Sequence, residues 1–253
     1  MNKKPIIIVA GEPNSVFLEI FFKSLKRNYY KSPLILIVNK KLLSKQMHHL
    51  GFNFKLNQIA LNSVNFEKLN NKKINIINVD YNFKNAFEKI SKKSNKYIKK
   101  SFKIALEILK KNKFSKFING PVSKRYFLEG KSLGITEYLA KQSKIKDEVA
   151  MLIFNDKLSV SPVTTHLALK DVHKYISKEK IKSHIRLISQ FYKKRFKKNP
   201  RIAITGLNPH CESNFNDCEE DAIISPTIKY LKNKKFRVEG PFPADTIFMQ
   251  KHL

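Results

Sequence analysis

Pro5-Ile6-Ile7-Ile8-Val9-Ala10-Gly11-Glu12-Pro13-Asn14-Ser15, near the start of the chain, is an apolar run that ends at a glycine and a polar turn. A half-buried strand alternates apolar and polar residues, whereas an unbroken apolar run has both faces covered, as in a parallel sheet flanked by helices. The residues that follow, about Val16 to Lys26, carry apolar positions at helical spacing. The same couplet recurs with a strand at Leu34 to Val38 and a helix near Leu42 to Leu50. Further on come a strand at Ile74 to Val79, a helix capped by Ser94 and running to about Lys111, and a strand from Phe114 to Ile118. Residues 52–72, rich in Asn and Lys without a period, read as irregular. Strands alternating with helices in this way predict an α/β fold with a mostly parallel sheet.

The second half starts with a short helix at Gly134-Ile135-Thr136-Glu137-Tyr138-Leu139-Ala140, followed by apolar strands at Val149 to Phe154 and Leu158 to Pro162. A basic amphipathic helix, Lys178 to Lys197, precedes a strand at Arg201 to Thr205. Glu219, Glu220 and Asp221 open a helix to about Leu231, where acidic residues favour the helix dipole, and Phe236 to Glu239 is a last strand. A parallel-rich sheet is expected in each half. Among seven glycines, Gly11, Gly120, Gly206 and Gly240 follow predicted strands and Gly134 precedes a helix. Glycine at strand ends permits close backbone approach, so these five places mark the irregular, ligand-facing edge.

The chain has 253 residues and a net charge of +30. Such a charge ordinarily points to nucleic acid. Here the lysines are spread along the whole chain and accompany abundant Asn and Ile, the residue set of AT-rich codons, so no specific nucleic-acid binding is expected. No helix-turn-helix, zinc-finger or aromatic single-strand platform stands out. The longest apolar runs are far too short to span a bilayer, and no small-residue cleavage site follows the first, so neither membrane span nor signal peptide is expected. Cys211 and Cys218 match no trusted metal spacing and read as free thiols in a cytoplasmic protein.

Two segments each read as a strand entering a turn that ends on a histidine: Val163-Thr164-Thr165-His166-Leu167 and Ile204-Thr205-Gly206-Leu207-Asn208-Pro209-His210. If those strands are neighbours, His166 and His210 can converge on one metal, since imidazole is the commonest protein ligand and α/β sheets bind ligands at strand ends. The alternative is that each ring hydrogen-bonds its own loop. His48, His49, His173 and His184 lie on predicted helices as surface or packing residues.

Taken together, Gly11-Glu12-Pro13 with Glu19-Ile20, Gly120-Pro121-Val122-Ser123-Lys124, Gly134-Ile135-Thr136-Glu137, Thr164-Thr165-His166-Leu167, Gly206-Leu207-Asn208-Pro209-His210 and Gly240-Pro241-Phe242-Pro243-Ala244-Asp245-Thr246 resemble the 4-hydroxythreonine-4-phosphate dehydrogenase family of pyridoxal phosphate biosynthesis. The resemblance covers essentially the whole chain. It implies two α/β/α domains similar to isocitrate and isopropylmalate dehydrogenases, divided at 1–133 and 134–253, with the active site in the cleft between them. It implies a homodimer with a shared active site and a small phosphorylated substrate. The secondary alcohol is oxidised with NAD (or NADP), and the 3-oxo acid loses CO2. It implies a divalent metal (Zn, Mg or Co) whose ligands include His166 and His210, Thr136 at the substrate, and Asp245 orienting substrate or a ligand histidine; the alternatives are helix N-capping for Thr136 and an ordinary turn aspartate for Asp245. The residues contacting NAD cannot be assigned, and the Lys124 side chain is either an anion contact or a solvated surface group.

The sequence also departs from the family pattern. Ile135 replaces a substrate-contacting histidine, and Ser15 and Phe17 replace glycines in the first loop. The loop Cys211-Glu212-Ser213-Asn214 has lost its glycines. The family's third metal histidine lies in a His-Asp-Gln segment that His252 does not match, and slow turnover of 4-phosphohydroxythreonine is expected where that ligand and the phosphate-binding region beyond it are missing. Ile135 brings a related four-carbon phosphorylated acid, such as threonate or erythronate phosphate, into consideration as substrate, with a non-catalytic relative as the further alternative.

Overall fold

The computed structural model describes residues 4–249 except 61–64, 115, 131, 133, 145–148 and 212–217. The chain forms two units, Met1–Ser132 and Leu133–Leu253.

The first unit is built on a five-stranded, all-parallel sheet. Its strands are β1 (Ile6–Val9), β2 (Leu34–Val38), β3 (Leu56–Gln58), β4 (Ile74–Asn78) and β5 (Phe117–Asn119), in the order β3-β4-β2-β1-β5. The apolar runs lie in the middle: all five residues of β2 are buried, and Ile7, Ile35 and Leu36 are fully so. One face, carrying Ile8, Leu36 and Ile76, packs on Leu18, Phe21 and Phe22 of α1 (Phe17–Arg27) and Leu43 and Met47 of α2 (Lys40–His49). Helix α3 (Asn95–Asn112) contacts β1 and β2, burying Ile98, Phe102 and Ala105. Each fully buried aliphatic or aromatic side chain stabilises the unit by about 1.5–3 kcal/mol. Truncating one as large as Phe22 to alanine costs about 3–5 kcal/mol.

Three elements of this unit differ from the sequence reading. Residues 56–58, read as irregular, form edge strand β3. It pairs with β4 and is supported by the Asn57 amide donating to Asn75 Oδ1 at 2.8 Å. Ser94 does not cap α3 through its side chain; its hydroxyl donates to Glu12 Oε2 at 2.7 Å, while Ser91 caps the short turn before it. Strand β5 starts later than Phe114 and ends at Asn119.

The sheet's carboxyl edge is drawn tight between β1 and β5. The Gly120 N–H donates to Val9 O at 2.7 Å, and the Glu12 N–H to Pro121 O at 2.8 Å. A Cβ on Gly120 would lie 2.0 Å from Ala10 O, so only glycine fits. Glu12, 3% exposed, thus ties the β1 turn to α3.

The second unit contains α4 (Ile135–Gln142), the strand pair β6 (Ile153–Phe154) and β7 (Ser159–Val160), α5 (Lys178–Phe196), β8 (Ile202–Thr205), α6 (Ser225–Asn233) and β9 (Val238–Phe242). The parallel-rich sheet expected here is not seen among the described residues. Instead β8 and β9 form a two-stranded parallel pair, and β6 and β7 an antiparallel hairpin two residues long. Helices α5 and α6 close a core of Ile181, Ile185, Ile228, Leu231 and Val238 around the parallel pair. Strand β9 runs further than Glu239, through a cis Gly240–Pro241 bond. A Cβ on Gly240 would meet Ile204 O at 2.3 Å, so the missing side chain lets β9 close on β8.

Among the described residues no helix is long and apolar enough to cross a membrane.

Candidate active site

Chemistry-bearing side chains of the second unit gather in two local assemblies. The first lies where β8 and β9 end. The backbone there is cross-tied, with the Gly206 N–H donating to Phe242 O at 3.0 Å and the Ala244 N–H to Pro209 O at 2.8 Å. These bonds set the turn after β8 beside the turn after β9, and so bring His210 to Asp245: Nδ1 lies 3.3 Å from Oδ2. The carboxylate favours the imidazole proton on Nδ1, which leaves the Nε2 lone pair directed away from it. His210 is well exposed and Asp245 about half as much, so the pair faces solvent and a ligand can reach it.

The loop that carries His210 is anchored from beneath by Glu220, 2% exposed. Its Oε1 accepts from the Asn208 N–H at 2.8 Å and its Oε2 from the Asn208 amide at 2.9 Å. Burial opposes ionisation of Glu220, but hydrogen bonds, led by the two from Asn208 and joined by the backbone of Glu220 and Leu207, outweigh it together and hold the carboxyl below its ordinary range. In sequence Glu220 is one of three acids at a helix start; the fold turns it inward, and only the helix-dipole signal was visible beforehand. Cys211 follows His210 in a left-handed conformation (φ 60°), with its thiol pushed up chiefly by burial. Cys211 and Cys218 are free, as expected.

The second assembly surrounds the start of α4. Gly134 is the helix cap, so the Thr136 hydroxyl in the first turn is not used for capping. His166 also adopts a left-handed conformation (φ 60°), which the loop after Thr165 requires. A Cβ on Gly134 would lie 2.9 Å from Glu137 Oε2 and 3.1 Å from His166 Cδ2, so both side chains crowd against this glycine. The Thr165 hydroxyl donates to Glu137 Oε1 at 3.1 Å.

Among the described residues no group of three or more His, Cys, Asp or Glu side chains is placed to hold a metal, and His252 lies outside them, as do residues 212–214 of the loop after Cys211. The donor set nonetheless suits a divalent ion in part: His210 is held by a carboxylate in the tautomer that ligation needs. Of the remaining histidines, His48, His49 and His173 are exposed, and His184 is buried on α5, where burial and then Lys180 lower its pKa. These positions agree with surface and packing roles.

The α/β fold and the histidine–carboxylate pair at the end of a parallel strand pair do not by themselves name a reaction; the comparisons with known proteins place the chain among dehydrogenases. The chain belongs to the family of the pyridoxal phosphate biosynthetic protein PdxA, whose model matches residues 30–253. It is 35% identical over 252 residues to a 4-hydroxythreonine-4-phosphate dehydrogenase of Sulfurihydrogenibium sp. (strain YO3AOP1), covering 96% of this chain and 75% of that protein. It is 38% identical over 121 residues to a D-threonate 4-phosphate dehydrogenase of Pectobacterium atrosepticum, covering 47% of this chain and 36% of that protein. The fold matches the crystal structure of 4-hydroxythreonine-4-phosphate dehydrogenase from Klebsiella pneumoniae with a TM-score of 0.82 at 25% identity, covering 99% of this chain and 78% of that one. The Burkholderia phymatum enzyme matches with a TM-score of 0.80 at 26% identity, over 99% and 77%.

Proposed function

We propose that the protein oxidises the secondary alcohol of 4-phosphohydroxy-L-threonine with NAD, and that the resulting 3-oxo acid decarboxylates to 3-amino-2-oxopropyl phosphate, a step in making pyridoxal phosphate. Family membership supports the reaction class, and the single observation that carries it to named residues is the His210–Asp245 contact at 3.3 Å. In this reading His166 and His210 hold a divalent cation, zinc, magnesium or cobalt. When bound, that cation supplies Lewis acidity, favouring loss of the hydroxyl proton and easing the negative charge left as CO2 departs, while NAD accepts the hydride. Asp245 keeps the His210 proton on Nδ1, Glu220 fixes the loop through Asn208, and Thr136 offers a hydroxyl to the substrate from the first turn of α4. The protein works in the cytoplasm as a homodimer whose active site is shared between subunits. The exposed apolar patch formed by Phe154 (42% exposed), Phe191 (43%) and Phe196 (36%), whose rings contact one another, supports the association, because contiguous apolar surface marks interaction sites.

Ile135 favours a second reading. As the first residue of α4 it gives an apolar side chain at the position from which the family's histidine contacts substrate. An apolar group cannot replace a lost hydrogen bond, so D-threonate 4-phosphate or erythronate phosphate is the competing substrate. Comparing NADH formation from 4-phosphohydroxy-L-threonine and D-threonate 4-phosphate decides between them. The first reading expects the higher kcat/KM with 4-phosphohydroxy-L-threonine; a preference for the threonate ester would replace it with the second.

A further inference from the structure

We propose that the first unit carries a binding site of its own, at the amino ends of β2 and β4, for a small molecule that joins a single aromatic ring to an anionic group such as a phosphate ester or a carboxylate. A cavity of about 130 Å³ opens there. Its floor is apolar, made by Phe21 and Leu25 of α1, Phe54 just before β3 and Ile74 of β4. An engineered apolar cavity of about 150 Å³ accepts benzene, so one planar ring is the size of group that this hollow takes. The charge around it is of one sign. Lys55, Lys72 and Lys73 line the cavity and are exposed; among the described residues no carboxylate lines it, and none of the three lysines has an ion-pair partner.

A concave site lined by one sign of charge focuses its field and concentrates ions of the other sign. Exposed lysines occur all over this chain, so charge alone selects no place. Here it coincides with a ring-sized apolar hollow, and apolar walls with a few polar groups are what small-molecule sites share. The wall is also set before a ligand arrives. Asn71 Oδ1 accepts from the Leu34 N–H at 2.9 Å, and its amide donates to Tyr30 O at 2.7 Å and Ser32 O at 2.9 Å, fixing the segment that enters β2 against the one that enters β4. The Ile74 N–H donates to Lys55 O at 2.9 Å and holds that backbone in place. Only the lysine stems and the Tyr29 ring, 87% exposed at the cavity, remain to be ordered, which keeps the entropic cost of binding low. The Gly11 and Gly120 turns lie at the opposite ends of the strands, so a ligand here leaves the carboxyl edge of the sheet free.

The chain has no tryptophan, so Tyr29→Trp places a single fluorescent reporter at the cavity. Its emission is titrated with phenyl phosphate, inorganic phosphate and benzyl alcohol. Phenyl phosphate should give a saturable change at millimolar concentration or below. The other two each lack half of the match and should bind at least about 10-fold more weakly. Adding Lys55→Gln, Lys72→Gln and Lys73→Gln to the reporter should weaken phenyl phosphate at least about 10-fold. Removing the same number of exposed charges from α3, with Lys96→Gln, Lys99→Gln and Lys100→Gln, should leave its affinity unchanged, which separates this site from the overall charge of the chain. The absence of a saturable change with phenyl phosphate overturns the proposal. So does equal weakening by the two triple variants, or either control ligand binding as tightly as phenyl phosphate. Calorimetry on the chain with Tyr29 intact makes the same comparison, and decides alone if Tyr29→Trp disturbs the cavity.

Discussion

Replacing Glu220 with glutamine changes one oxygen to NH2 at the point where the His210 loop is anchored. Both donors of that anchor come from Asn208, at 2.8 and 2.9 Å. Glutamine offers one acceptor oxygen, so one Asn208 donor is left facing another donor in a site that is 2% exposed. A hydrogen bond to a charged group contributes about 1.5–3 kcal/mol, and a buried unsatisfied donor costs about 1–3 kcal/mol. The expected loss is therefore about 2–4 kcal/mol, or about 5–15 °C in Tm for a chain of this size. The pH dependence gives the argument a sign. The folded-state pKa of Glu220 is lowered, so its contribution is complete above the unfolded carboxyl's pKa and disappears as pH falls through the folded value. The Tm gap between native protein and Glu220→Gln should thus be full at neutral pH and shrink in acid. Thermal unfolding followed by circular dichroism across that range measures both. A variant melting within about 1 °C of native at neutral pH, or a gap that does not narrow in acid, would refute the reasoning.

Gly120→Ala puts a Cβ 2.0 Å from Ala10 O and should destabilise the first unit by about 3 kcal/mol, read as an earlier denaturation midpoint. Asp245→Asn should leave the melting temperature nearly unchanged while weakening zinc affinity about 10- to 100-fold by titration calorimetry, because its partner His210 is exposed. Phe154→Glu places a charge in the exposed apolar patch beside Phe191 and Phe196 and should shift the proposed dimer toward monomer in light scattering.

How much of this was legible depended on burial. Strands β1 and β2 announce themselves because both faces are covered, and every residue must be apolar. Edge strand β3 has the sequence Leu56-Asn57-Gln58; its pairing is made by backbone groups and the Asn57–Asn75 contact, which leave no hydrophobic period. The second unit misled for a related reason. Val149 to Phe154 and Leu158 to Pro162 have strand composition, but much of that apolar surface stays exposed, so composition alone overstated the sheet. At the site, His210 and Asp245 were readable as members of motifs, and their contact follows from the parallel pairing of β8 with β9. Glu220 was not readable as a site residue, because which way a first-turn glutamate points is set by the loops packed against it.

The most direct test of the central claim is zinc-dependent NADH formation from 4-phosphohydroxy-L-threonine, comparing native protein with His210→Ala. The pair is measured both as the 253-residue chain and joined to the C-terminal segment of the Sulfurihydrogenibium relative, so that the result does not hinge on where the chain ends. Removing charge stabilisation at the reacting oxygen costs about 100- to 1,000-fold. The account predicts NADH formation in the joined protein and a loss of at least about 100-fold on His210→Ala, with thermal stability retained. NADH formation undiminished by His210→Ala would contradict it.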